Sequence, residues 1–516
     1  METMYQINPF FFAVIILSIG AWNVLNWVWL RPKRLEKCLR RQGFRGNDYR
    51  LFYGDKKDMS KMIKEARNSK PISISDDILP RVIPHIFQTV KKYGKNAIFW
   101  HGTTPEVYIM DPLLIKEIFS KNYDFQKPHN PLAKLLAQGL VGAEGGRWAK
   151  NRRIMNPAFH PDKLKNMLPA FYLSCSELVN RWDEVLSQQD TQEVDIWPSI
   201  QNLSTDIIAR SAFGVSYKQG RDIFELQKEQ AYHLMEIVRS GLYIPGWRFL
   251  PTKRNRRMKD IEKKIQETIR GIIDDRFKAM KTGHASNNDL LGSLLESSSE
   301  NGQPGKRNSV MNIADIVEEC KLFFFAGSEN TSVTIVWTMF LLSIHEDWQT
   351  RAREEVLRAF GHDKPNFDGL NHLKIVNMIL HEVLRLYPPV TSINRKIYKE
   401  TKLGDMSLPA GVLLLLPTIL LHHDRELWGD DAREFKPERF SEGISGATKG
   451  KVSFFPYGLG PRICIGQNFA LLEVKMAISM ILQRFSFELS TAYVHTPHKI
   501  VALQPQDGVN LILNRL

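Results

Sequence analysis

Cysteine is scarce in this sequence, with four in 516 residues. Cys38, Cys175, Cys320 and Cys464 lie far apart and form no C-x-x-C pair, which excludes a disulfide framework and a zinc ribbon and suits a reducing compartment. Internal repeats and nucleic-acid-binding motifs are lacking as well. The formal charge of +14 and the isoelectric point near 9.4 therefore point to anionic lipid or an acidic protein partner rather than to nucleic acid. Apolar residues, at 43% against 24% charged, suffice for a large core, so whole-chain disorder is excluded. The one low-complexity run, Ser297 to Ser309 (SSSENGQPGKRNS), reads as an exposed loop and not as a domain linker.

Charge is also missing from Pro9 to Leu30 (PFFFAVIILSIGAWNVLNWVWL), a stretch long enough to cross a bilayer as a helix. A cleaved signal would have a basic start and small residues before the cut, whereas Trp22, Trp27 and Trp29 occupy the far end here. Arg31, Lys33, Arg34, Lys37, Arg40 and Arg41 follow immediately. The positive-inside bias then puts the N-terminus in the lumen and the bulk of the chain in the cytosol. We expect residues 1–34 to form the anchor, with its membrane helix at about 9–30, and residues 35–516 to form one domain.

Apolar residues recur at helical spacing over Asp162 to Leu186, Asp260 to Met280 and Ile313 to Ile344, so the fold is expected to be mainly α. Strand-like patches are short: Ala97 to His101, Val107 to Met110, Lys396 to Tyr398 and Gly411 to Leu416. They imply a small β component.

One cysteine has a setting of its own. Around Cys464 the chain reads FFPYGLGPRICIGQNFALLEVKMA, in which glycines frame the thiol and a helical pattern starts directly after it. A helix N-terminus, loop N–H groups and Arg462 all favour the thiolate, and glycines allow close approach of a flat macrocycle. Cys38, Cys175 and Cys320 lack such a frame and read as buried small hydrophobes. Elsewhere, Glu382 and Arg385 share one helix face at i, i+3. Such a pair is usually a surface salt bridge, but here Tyr387-Pro388-Pro389, Phe435 and Pro437-Glu438-Arg439-Phe440 follow it.

The Cys464 segment resembles the heme-binding loop of the cytochrome P-450 superfamily, F-x-x-G-x-R-x-C-x-G, with Tyr457, Gly460, Arg462, Cys464 and Gly466 at its defining positions. Tyr457 departs from the family's phenylalanine, which keeps a ring near the sulfur and adds a hydroxyl that needs a partner. The resemblance implies heme b, with its iron held by Cys464. It further implies a buried Glu382, Arg385 and Arg439 network under the heme loop, and propionate contacts from Trp148, Arg152, Arg395 and Arg462. The segment Phe323 to Thr331 is similar to the family's oxygen-activation sequence [A/G]-G-x-[D/E]-T-[T/S]. Ala326, Gly327, Glu329 and Thr331 match it, while Asn330 replaces the first threonine. Glu329 and Asn330, with Thr331 as a substitute, are expected to organise water for proton delivery beneath a kinked helix.

Finer matches, among them RPKRLEKCLRRQGFRG, LNHLKIVNMILHEVLRLYPPV and LPTILLHHDRELWGDDAREFKPERF, resemble the plant CYP family seventy-two, whose members oxidise terpenoids. What this implies is a single-pass protein of the endoplasmic reticulum membrane, touching membrane lipid, in which a mainly α heme domain follows one transmembrane helix. It would hydroxylate a hydrophobic triterpenoid, iridoid or gibberellin-type diterpenoid with O2 and with electrons from NADPH-cytochrome P-450 reductase. Specificity is expected in Pro128 to Val141, Val390 to Asn394 and Gln504 to Val509, with His129, Ser392 and Val509 as substrate contacts. Two other readings stay open: a heme-thiolate isomerase or dehydratase acting without reductase, prompted by the missing threonine, and a non-enzymatic heme-binding protein. Because only Cys464 has a loop suited to the metal, Cys464→Ala should abolish the reduced carbon monoxide difference band of a thiolate-ligated heme; a retained band would remove this cysteine from the assignment.

Overall fold

The computed structural model describes residues 9–129, 133–187, 190–239, 250–283, 289–297 and 311–516. Most of the expected loop Ser297 to Ser309 and part of the segment Pro128 to Val141 lie outside them. The long helix Ile313–Ile344 is buried along nearly its whole length, which is why its sequence is apolar on all sides and not along one stripe. Helices Pro161–Val185, Ile196–Phe213, Tyr217–Arg239 and Gln467–Leu482 pack around it or around one another. This helical layer holds most of one continuous apolar core.

The β component is small. The main sheet has the order Arg45–Gly46, Ala97–His101, Thr104–Tyr108, Leu413–Leu416, Ile393–Ile397, Phe125–Gln126. Strand Ala97–His101 is as expected, but two neighbours begin earlier than their apolar patterns suggest. Thr104 already pairs with His101 across a tight turn, and Ile393 already pairs with Leu416, so ladder partners rather than local hydrophobicity set these starts. A second sheet joins Phe485–Leu489, Asn510–Arg515 and Thr191–Asp195. Its edge strand TQEVD is polar and mostly exposed, and so carries no alternation that would reveal it.

At the N-terminus, helices Pro9–Leu25 and Arg31–Arg41 run on through a π-helical turn, Asn26–Leu30. The helix from Phe12 to Arg41 is long and apolar enough to cross a membrane. It passes the expected boundary between residues 34 and 35 without a break, and Pro32, Leu35, Glu36 and Leu39 are already buried against the rest of the fold.

Candidate functional site

Glu382 and Arg385 are both completely buried and pair through two bonds of 2.7 Å. Arg385 spends its remaining donors on the carbonyls of His422 (2.7 Å), Ala432 (2.5 Å) and Glu434 (3.2 Å). Glu382 also accepts from the Lys436 N–H at 2.9 Å and lies 3.4 Å from Arg439, which is tied to Trp428 O and Asp431. A planar guanidinium with five donors can gather a loop in this way, and a lysine could not. His422, whose carbonyl takes one of these bonds, accepts the Phe455 N–H at its Nε2, 3.2 Å away. Burial first, then the Arg385 charge, lowers its pKa to about 3, so the ring stays a neutral acceptor. The expected network thus continues through His422 into the cysteine loop.

In that loop the Cys464 N–H bonds Tyr457 O at 2.9 Å; the 3-10 turn Gly460–Arg462 precedes the cysteine, and helix Gln467–Leu482 begins directly after Gly466. Gly460 has φ +68°, and a Cβ there would stand 2.6 Å from Phe119 O, so this position demands glycine. The Tyr457 ring packs against the Leu384, Trp428, Phe440 and Phe454 cluster.

The Cys464 sulfur has open surface, but that surface faces a cavity inside the protein. Burial raises its thiol pKa, and the Gly466 N–H, Arg152 and Lys127 act in the opposite sense. Ala326, Gly327, Asn330, Thr331 and Thr334 of the long helix line the same cavity, and Trp148, Arg152, Arg395, Tyr457, Arg462 and Gly466 also contribute. Eight of the expected site residues, Trp148, Arg152, Asn330, Thr331, Arg395, Tyr457, Arg462 and Gly466, thereby come together around Cys464.

Four cations, Lys127, Arg152, Arg395 and Arg462, line this mainly apolar cavity, and among its described lining residues there is no carboxylate. Glu144, just behind, pairs with Arg462 and accepts the Lys127 N–H at 3.1 Å. Burial, followed by repulsion from Arg395 and Arg462, lowers Lys127 to about 7. Burial and then Arg462 lower Arg395 to about 10. Such crowding of buried positive charge fits a dianionic group, and the two propionates of heme supply those charges beside a flat apolar body. Arg462 stacks on Trp148 at 4.4 Å and donates to Ala143 O at 2.7 Å, while Arg152 donates to Ile463 O at 2.7 Å. These bonds hold the cationic arms in place around the thiol loop.

Other expected residues lie elsewhere. Glu329 lines a separate pocket with Lys228, Tyr232, Lys264 and Phe325, and burial raises its pKa to about 7. Asn330 faces the cysteine cavity, and its Nδ2 donates to Ala326 O at 3.1 Å. The α-helix is unbroken there. His129 is exposed, with its N–H on the Tyr398 hydroxyl. Ser392 accepts from Lys499 at 3.4 Å, and Val509 is buried beside the second sheet with its N–H on Asp195. None of these three lines the cavity. Sequence reasoning missed Lys127, Glu144 and His422. A lysine next to the expected variable segment and the paired histidines of LLHHD were the available signals.

The Cytochrome P-450 family model matches residues 82–511. The chain is 58% identical to cytochrome P-450 CYP72A219 of Panax ginseng, over all of both chains. It is 53% identical to cytochrome P-450 72A15 of Arabidopsis thaliana over 98% of each, and 51% identical to the 7-deoxyloganic acid hydroxylase of Catharanthus roseus over all of both.

Two outcomes follow from this geometry. His422→Leu leaves the buried Phe455 N–H without its acceptor, which costs about 1–3 kcal/mol; urea unfolding should shift accordingly and heme content per protein should fall. Glu329 keeps its proton in the folded protein over a pH range in which the unfolded chain, with its ordinary value of 4.5, has lost it. Its contribution to stability is therefore fully present below pH 4.5 and is lost as pH rises through about 7. Glu329→Gln should stabilise the protein increasingly between pH 5 and 8, by on the order of 2–3 kcal/mol at the upper end, read as the difference in melting temperature; a difference independent of pH would contradict the burial argument.

Proposed function

The chain belongs to the cytochrome P-450 family, and on that premise we propose that Cys464 is its heme ligand and that its substrate is a hydrophobic plant terpenoid. The protein is a monooxygenase that uses heme on a cysteine thiolate and electrons delivered from NADPH by a redox partner. Heme so ligated, when bound, activates dioxygen and leaves one oxygen atom in the substrate. Membership of this family disfavours the reductase-free and non-enzymatic readings. The observation that carries the proposal is the Cys464 sulfur facing an apolar cavity whose polar edge is cationic.

The protein's own groups divide the work. The loop bonds from Cys464 N–H to Tyr457 O and from Arg152 to Ile463 O fix the direction of the sulfur. Lys127, Arg152, Arg395 and Arg462 would hold the two propionates, which leaves the apolar lining for the macrocycle and the substrate. Leu140, Val141, Val390 and Ile393, from two of the segments expected to vary, line the same cavity. We assign hydrophobic selection to them in preference to His129, Ser392 and Val509. A terpenoid skeleton suits such a surface, and one relative is by name a hydroxylase of an iridoid acid. NADPH-cytochrome P-450 reductase as the electron source, and the endoplasmic reticulum membrane with a cytosolic catalytic domain as the setting, complete the reading. Incubation of reductase-supplemented microsomes with a panel of triterpenoids, iridoids and diterpenoids tests it: an NADPH-dependent hydroxylated product is expected, and consumption of none of the three classes overturns the substrate assignment.

Asn330 is assigned to water placement. Its amide Nδ2 is engaged by Ala326 O, which leaves the amide oxygen to hold a water at the cavity wall. Thr331 is the neighbouring hydroxyl on the same wall. Asn330→Ala should lower product formed per NADPH consumed and raise released hydrogen peroxide several-fold, with heme content unchanged; full coupling in Asn330→Ala together with lost coupling in Thr331→Ala would transfer the role to Thr331.

A further inference from the structure

Pro32 lies inside the N-terminal helix, which nevertheless runs on from Pro9 to Arg41. A proline deprives the carbonyl four residues earlier, here that of Val28, of its N–H partner. The chain accommodates this by widening into the π turn Asn26–Leu30, where the Arg31 N–H reaches back to Asn26 O. The Val28 carbonyl accepts from the Tyr49 hydroxyl at 2.5 Å.

Tyr49 is itself fixed on every side. Its N–H donates to the buried Glu36 carboxylate at 2.9 Å, and its hydroxyl accepts the Phe52 N–H at 3.1 Å. Its ring packs 4.9 Å from that of the fully buried Trp100. Phe52 has φ +65°, one of two non-glycine residues in the left-handed region among the described residues. Backbone strain of this kind persists where the surroundings over-determine it, and here the Phe52 ring stands edge-on to Trp27 at 6.1 Å. On the domain side, Arg40 clamps the same helix to Asp48 (2.7 Å) and Gly46 O (3.2 Å).

We infer that the anchor and the catalytic domain meet in a fixed joint, and that the turn from Tyr49 to Gly54 is seated at the lipid–water boundary, so that the domain rides on the bilayer in one set orientation. The inference rests on reading the apolar helix as a membrane anchor. From Phe12 to Leu30 the helix rises about 28 Å, which matches a hydrocarbon core of about 30 Å and puts the boundary at the π turn. Trp27 and Trp29 then occupy the interfacial level, with Leu51 of the turn, 57% exposed, beside them. Lys33, Arg34, Lys37 and Arg41 follow at the depth of anionic headgroups. The Tyr49 hydroxyl supplies the partner that Pro32 withholds from the Val28 carbonyl, which makes it part of the joint.

The test uses the full-length holoenzyme in oriented bilayers of phosphatidylcholine and phosphatidylserine, read by linear dichroism of the heme band and by the rate of tryptic cleavage within Arg31–Arg41. The wild type should show strong dichroism and slow cleavage. Tyr49→Phe combined with Phe52→Gly should weaken the dichroism and speed cleavage roughly tenfold, with the reduced carbon monoxide spectrum retained. A Gly-Ser-Gly insertion between Leu30 and Arg31, which leaves the domain untouched, should abolish the dichroism. A membrane-bound wild type whose dichroism equals that of the insertion variant overturns the joint while sparing the anchor. Release of the wild type by an alkaline carbonate wash overturns the anchor reading and the joint with it.

Discussion

The completely buried pair of Glu382 and Arg385 is the interaction on which the rest of the site depends. Charges removed from water are tolerated only when their hydrogen-bonding capacity is met, and Arg385 meets its requirement by taking carbonyls from three points between His422 and Glu434. That requirement draws a long irregular stretch, which has little regular structure of its own, against helix Lys374–Leu386. His422 passes the constraint to Phe455, nine residues before the thiol. The position of Cys464 is therefore inherited from an ion pair that never touches the cavity.

Within the cavity the organising term is unmatched charge. Cationic side chains from three regions of the chain converge with no carboxylate in the described lining and Glu144 close by, and the lowered pKa of Lys127 and Arg395 expresses repulsion from neighbouring arginines as well as burial. A dianionic cofactor relieves that repulsion when it binds, so cofactor loading and stability of this region are coupled. Among the described residues the rest of the lining is mostly apolar, its polar side chains being Asn330, Thr331 and Thr334 of the long helix with Tyr457 and Trp148, which suits selection by shape.

Helical geometry explains the division between Glu329 and Asn330. At 3.6 residues per turn, positions 326, 327, 330, 331 and 334 share one face and positions 325 and 329 share the next. Sequence neighbours are thereby sent to different pockets. Any joint action of the two in proton movement has to pass through the helix wall between them or through water.

The sequence by itself determined the elements whose signals are local. The helix over Ile313 to Ile344 follows from its unbroken apolar pattern, the anchor from a charge-free stretch ending in tryptophans, and the thiol loop from glycines spaced around Cys464. The acid and arginine at i, i+3 were legible as a pair because helical spacing alone brings them together. Tertiary structure decided what depends on distant chain segments. Burial of Glu382 and Arg385, capture of Phe455 by His422 and convergence of Lys127 on Arg395 and Arg462 join residues dozens to hundreds of positions apart, and no local pattern encodes that. The polar edge strand Thr191–Asp195 likewise exists because Asn510–Arg515 offers it a ladder. Pro32 illustrates the boundary between the two: the sequence marks a carbonyl that must lose its partner, and only the fold brings Tyr49 to replace it.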